Sequence, residues 1–125
     1  MARGRFETRL ALYELEGWAG EWFCLLEPLV YVDEDGRVYE APAGAVTNFA
    51  SVPRPFWSLF PRTGKHTRGA VVHDHLCGTR GGAYHLPSPE VHAVFRRALR
   101  ASRVHTRWLW WVFVRVFGPR FDGRP

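Results

Sequence analysis

The sequence predicts a single α+β domain: an N-terminal antiparallel β-sheet or meander, a long ordered loop, then three C-terminal helices. Three observations carry this. Short β-rich runs separated by turn residues fill residues 1–40, prolines and glycines crowd residues 41–65, and from Thr67 onward apolar residues recur at helical spacing. At 125 residues the chain makes one domain, 1–125, able to bury roughly two thirds of its unfolded surface without metal or disulfide support.

Phe6 to Leu15 alternates loosely, Gly17 to Gly20 reads as a turn, and Trp22 to Leu26 is a hydrophobic run. Leu29–Val32 and Arg37–Glu40 flank the stretch Asp33-Glu34-Asp35-Gly36, and Asp35-Gly36 between two β-rich runs is a strong hairpin signal. No bidentate Glu follows the three acids at calcium-loop spacing, so they read as the solvated tip of that hairpin. Pro42, Gly44, Pro53, Pro55, Pro61 and Gly64 then mark the loop, with Pro55 opening one short helical turn over Phe56–Phe60. A loop of this length inside a small domain points to function.

The first helix covers Thr67 to Cys77 and stops at Gly78, before a flexible Gly81-Gly82. The second opens with Ser88 as N-cap, Pro89 at the first helical position and Glu90 in the first turn. Val91, Val94, Phe95, Ala98 and Leu99 give its apolar stripe. Thr106 caps a third helix, Arg107 to Phe117, closed by Gly118-Pro119. That helix is apolar almost all round, so it is either central in the fold or shared with another surface. Trp108, Trp110, Trp111 and Phe113 are its candidate partner surface. Docking at a membrane interface, for which Trp flanked by Arg is suited, is the weaker alternative.

The chain is 46% hydrophobic with six Trp and nine Phe, enough ring area for a dense core in a short sequence. Net charge is +5, and Lys65 is the only lysine, so arginine supplies the rest of the positive side. Arginine suits phosphates and carboxylates, yet here it is scattered along the sequence rather than clustered. Nucleic-acid binding is therefore the minor reading. Cys24 and Cys77 fit two reduced thiols better than a disulfide framework. No charged region followed by an apolar one opens the sequence, and the run Trp108–Val114 is too short to span a bilayer. The expectation is a soluble intracellular protein without a signal peptide or transmembrane segment.

Chemistry concentrates on Ala70-Val71-Val72-His73-Asp74-His75-Leu76-Cys77. On a helix, His73 shares a face with Ala70, Leu76 and Cys77 and so looks inward, while Asp74 and His75 turn progressively away. An inward histidine beside an acid is an unusual core pair. His92 lies at the border of the next helix's apolar stripe, and antiparallel packing would bring it towards His73. The polar loop residues Thr47, Asn48 and Ser51 lie upstream. His73, Asp74 and His92 are acceptable ligands for one divalent metal, zinc-like rather than calcium, whose bound water would be a hydrolytic nucleophile. Without metal, His73 is a candidate general base with Asp74 beside it. The bland alternative is a buried histidine satisfied by a main-chain oxygen. His66, His75, His85 and His105 show no partner spacing and read as surface or loop residues. Ser51 lacks a nucleophile-elbow context, and a Cys77 buried among Val72 and Phe95 would be a poor nucleophile.

The order Pro42-x-Gly44, Thr47-Asn48-Phe49-Ala50-Ser51-Val52-Pro53-Arg54, Ala70-Val71-Val72-His73-Asp74, then Phe95, Ala98 and Arg115-Val116-Phe117-Gly118 resembles the DUF1353 family of phage and prophage proteins. The resemblance runs from about Leu29 to Gly118. It implies a phage context, tail- or lysis-associated, and a polar site built from the loop and two helices. The host cytoplasm, with incorporation into the virion as a further step, is the implied location. Other phage structural proteins, or further copies of the chain, are the implied partners. The family pattern usually has Asp where this chain has Asn48, and another where it has His92. Both departures remove a carboxylate, which moves the site towards a nitrogen-rich metal such as zinc or towards a purely structural role. The string His73-Asp74-x-x-Cys77 is also similar to the active-site helix of secreted phospholipases A2, without their disulfides. Two functions follow as expectations: a His/Asp hydrolase-like site, and a non-catalytic virion or tail component that uses its aromatic helix.

Overall fold

Six short strands come first: β1 Arg5–Phe6, β2 Leu12–Glu14, β3 Phe23–Leu25, β4 Leu29–Val32, β5 Val38–Ala41 and β6 Val46–Thr47. They form two three-stranded antiparallel sheets, ordered β1-β4-β5 and β2-β3-β6. Three helices follow, α1 Thr67–Gly78, α2 Ser88–Ala101 and α3 Arg107–Phe117. This computed structural model describes residues 3–15, 22–47 and 65–117. The α+β class is as expected.

Strand alternation decides which side chains enter the core. In β4, Leu29 and Tyr31 point inward, and in β5 Tyr39 and Ala41 do. The register pairs Leu29 with Ala41 and Tyr31 with Tyr39, so buried residues stand opposite buried ones. The run Phe6–Leu15, read as one alternating segment, divides between sheets. Phe6 pairs with Tyr31 in one, and Tyr13 with Cys24 in the other. Val46–Thr47, assigned to the loop on sequence, adds a strand to β3. Of the expected long loop, residues 48–64 lie outside the described residues.

The hairpin between β4 and β5 is present, but only part of its tip is solvated. Gly36 adopts φ 88°, and its N–H reaches the Asp33 carbonyl at 3.0 Å. Asp33 is buried, at 3% exposure. Its carboxylate accepts from the Tyr31 hydroxyl at 2.9 Å and the Glu34 N–H at 2.8 Å. Arg97 of α2 completes the shell, Nε donating to both oxygens at 3.0 Å and Nη2 to Oδ2 at 2.8 Å. Glu34 pairs beside it with Arg100 at 3.2 Å. The acids are drawn under α2 because two arginines one helical turn apart receive them. Only Asp35 keeps the exposed position expected of all three.

Helix α1 starts at Thr67 as predicted and includes Gly78. Helix α2 starts at Ser88 with Pro87 in the capping position, so the expected N-cap lies one residue inside, and Ser88 is buried. Between them Gly81 and Gly82 have φ of 97° and 64° and lead into a 3₁₀ turn, Gly82–Tyr84. A Cβ on Gly81 would collide with the Leu86 backbone, so this pair, expected to be flexible, forms a defined turn that needs glycine.

Helix α1 packs against β4, β5 and β6 and also against α2. One core cluster joins Leu29, Tyr31 and Ala41 to Val71, Val72, Leu76 and Val94. A second joins Ala70, Phe95 and Leu99 to Trp110, Phe113 and Val114. Gly69 permits the close approach of α1 and α2, since a Cβ there would stand 3.0 Å from a Leu99 methyl.

Arg97→Leu strands the Asp33 carboxylate in a buried site and is expected to cost about 3–5 kcal/mol in urea unfolding. Adding Asp33→Asn should recover part of that loss. A single-variant cost below about 1 kcal/mol would show that the pair does not hold hairpin to helix.

Candidate functional site

The inward face of α1 and the first half of α2 meet at two histidines. His73 Nε2 lies 2.8 Å from His92 Nδ1, and both residues are buried, at 4% and 2% exposure. Their ring centroids are 5.1 Å apart at 39°. The Phe95 ring covers His73 at 4.6 Å, and the Cys77 Sγ approaches His73 Nε2 at 3.5 Å. This contact follows from the spacing read in the sequence: His73 rides with Ala70 and Leu76, and His92 borders the stripe of Val91 and Phe95.

Burial, followed by the neighbouring His92, pushes the His73 imidazole down to about 3. At neutral pH the ring is therefore uncharged. The shared hydrogen bond needs one N–H and one lone pair, which two neutral imidazoles supply. Burial and then Asp74 push the Cys77 thiol up to about 12, so it is no thiolate nucleophile at neutral pH, as expected. His75 is lowered by burial, against the opposing pull of Asp74 and Glu40.

The group seated against His73 is thus His92. Asp74, the next residue along α1, is half-buried, and its charge acts on Cys77 and His75. Thr47 is buried at the end of β6, a strand that packs on α1. Asn48 and Ser51 lie outside the described residues. His85 and His105 are exposed, whereas His66, read as a surface residue, is buried and stacks on Trp110 at 4.5 Å. Nothing in the local pattern around His66 announces a ring contact forty-four positions away.

The aromatic partner surface requires correction. Trp110 and Phe113 are buried in the helical core, because they form the side of α3 turned towards Ala70, Phe95 and Leu99. Trp111 is partly covered, with its indole N–H buried and unpaired among the described residues, and Trp108 is 55% exposed. The exposed face of α3 is instead Trp108, Leu109, Val112, Val116 and Phe117.

Metal-ligand geometry differs from what the ring pair shows. Two nitrogens on one zinc, each at its usual bond length of about 2.0–2.1 Å, stand about 3.3 Å apart in a tetrahedral site. At 2.8 Å the facing nitrogens share a proton. Among the described residues no group of three or more His, Cys, Asp or Glu side chains is arranged to hold a metal ion.

A family model described as "Protein of unknown function (DUF1353)" matches residues 23–116, a span that includes both histidines, α1, α2 and all of α3 but its last residue. The chain belongs to the DUF1353 family. A curated relative, "Uncharacterized protein y4jT" of Sinorhizobium fredii (strain NBRC 101917 / NGR234), is 28% identical over 102 residues. That alignment takes in 78% of this chain but 29% of the relative, so this DUF1353 chain spans under a third of its length. No solved structure matches. Among the described residues no helix is long and apolar enough to cross a membrane.

The neutral His73 has a measurable consequence. Its folded value lies below the ordinary 6.5, so between pH 6.5 and about 3 the unfolded chain binds a proton that the folded chain refuses. Stability therefore falls as pH drops through that window, by about 1.4 kcal/mol per pH unit for one group. His73→Gln should make the slope of unfolding free energy against pH shallower by one proton. An identical slope would show that His73 titrates normally in the folded protein.

Proposed function

We propose that this DUF1353 protein is phage- or prophage-encoded and carries a hydrolase-like site, tail- or lysis-associated, centred on the His73–His92 pair. The observation that carries the reading is the 2.8 Å contact between two buried imidazoles on different helices. In either tautomer, the outer nitrogens of the pair comprise one lone pair and one N–H. The pair can take a proton at one end while releasing one at the other, without holding a charge on buried His73. Such a relay serves a general-base step in which water is activated against an ester, amide or phosphoester bond. Asp74 marks the more open side of α1 and would orient water or substrate there. Were a zinc-like ion bound, His73, His92 and Asp74 would be the residues to hold it, and it would supply a water of lowered pKa.

Turnover of chromogenic ester, amide and phosphodiester probes tests the proposal. The wild type should hydrolyse one class, and His73→Gln and His92→Gln should each lower kcat/KM by about 100-fold or more while near-ultraviolet dichroism stays native. Inactivity on all three classes, or variants equal to the wild type, would remove the catalytic reading. Zinc uptake by calorimetry, lost in His92→Gln, would select the metal-assisted form.

A second reading, a non-catalytic virion or tail component, draws on the exposed face of α3. Trp108, Val112 and Val116 repeat every four residues, a seam that a second copy of the chain could share. Light scattering should then show a dimer that Val112→Asp dissociates; a wild-type monomer at high concentration counts against it.

A further inference from the structure

The arginines scattered through the sequence are gathered by the fold. A cavity of about 520 Å³ at the junction of the three helices is lined by Arg3, Lys65, Arg100, Arg103, His105 and Arg107. It shares Lys65 with a neighbouring cavity of about 710 Å³ that adds Arg68 and Arg5, the latter paired with Glu7. On its other side it shares Arg100 and Arg107 with a cavity of about 270 Å³ that adds Arg96 and Trp108. The three form one continuous track. Glu34, already paired with Arg100, is the only carboxylate in its described lining.

The local backbone adds to this positive field. Lys65 and Arg107 stand at the N-terminal ends of α1 and α3, whose first turns contain no acid. Helix N-termini attract anions and normally carry carboxylates there. Among the described residues, no carboxylate pairs with Arg3, Lys65, Arg103 or Arg107. Ser102, on the track's lining, has a buried hydroxyl without a hydrogen-bond partner among the described residues. Arg103 takes a left-handed φ of 59° in the turn between α2 and α3, and it lines the central cavity. At the far end Trp108 is exposed, with the Arg96 guanidinium 4.6 Å from its ring centre.

We propose that this track binds the phosphate backbone of a single-stranded nucleic acid, with Trp108 as a base-stacking platform. A lone phosphate would fill one cavity. Three connected ones, with Arg3, Lys65, Arg103 and Arg107 outside any described ion pair and an exposed indole at one end, match a backbone groove with an aromatic stop. The site is independent of the histidine pair.

The test is fluorescence anisotropy of the full chain with a labelled single-stranded oligonucleotide of about 15 residues. Affinity should fall with salt along a log–log slope of about −2 to −3, as expected for three to four phosphate contacts. Arg103→Glu should weaken binding about tenfold. Arg80→Glu is the matched control, because Arg80 also has a left-handed φ, 50°, but lies beyond the opposite end of α1. It makes the same charge change and should leave affinity within about twofold. Trp108→Ala should cost about tenfold through lost stacking, with the salt slope unchanged. Equal losses from Arg103→Glu and Arg80→Glu would reduce the effect to net charge and overturn the site. Competition by inorganic triphosphate as strong as by unlabelled oligonucleotide would assign it to a small phosphorylated ligand. Preference for duplex DNA, unaffected by Trp108→Ala, would overturn the single-stranded assignment.

Discussion

Helix α1 is enclosed on two sides, by the strands on one and by α2 on the other. That enclosure is the constraint on which the rest depends. A polar side chain on such a helix must find a partner from a packed neighbour or be lost from the core. His73 meets this demand through His92, whose ring nitrogen stands 2.8 Å from its own. The buried contact and the candidate site are one object.

The same requirement explains which features were legible in the sequence. The three helices, the apolar faces of the first two and the approach of His73 to His92 follow from a 3.6-residue period and from short connections. Those are local signals with few alternatives. Asp33 reads as solvated because nothing within its own hairpin tells a solvated acid from one collected by an arginine sixty-four positions later. His66 and Trp110 failed for the same reason: each looks like a surface or interface residue until the other is placed against it. On α3, composition announced an apolar helix but could not say which arc faced the core. The packing of Phe95 and Leu99 made that choice. The division of residues 5–14 between two sheets was equally hidden, since alternation gives strand character but not the identity of the neighbour.

Charge shows the contrast between sequence and surface most plainly. Arginines at 3, 100, 103 and 107 are separated by nearly the whole chain or by a single turn, and neither spacing reads as a patch. They converge because residue 3 precedes β1, which packs on α2, while the α2–α3 turn carries the others past the start of α1. Linear scatter is thus a poor guide to a folded electrostatic field.

The union of Asp33 with Arg97 also bears on how the molecule comes apart. Its hairpin turn has its carboxylate neutralised by a helix from the other half of the chain. Departure of α2 would take away the guanidinium that neutralises that carboxylate, and opening of the turn would strip the helix of its counter-ion. Sheet and helices are thereby denied separate melting, and the β4–β5 hairpin with α2 behaves as one cooperative unit whose amides should become exchangeable together.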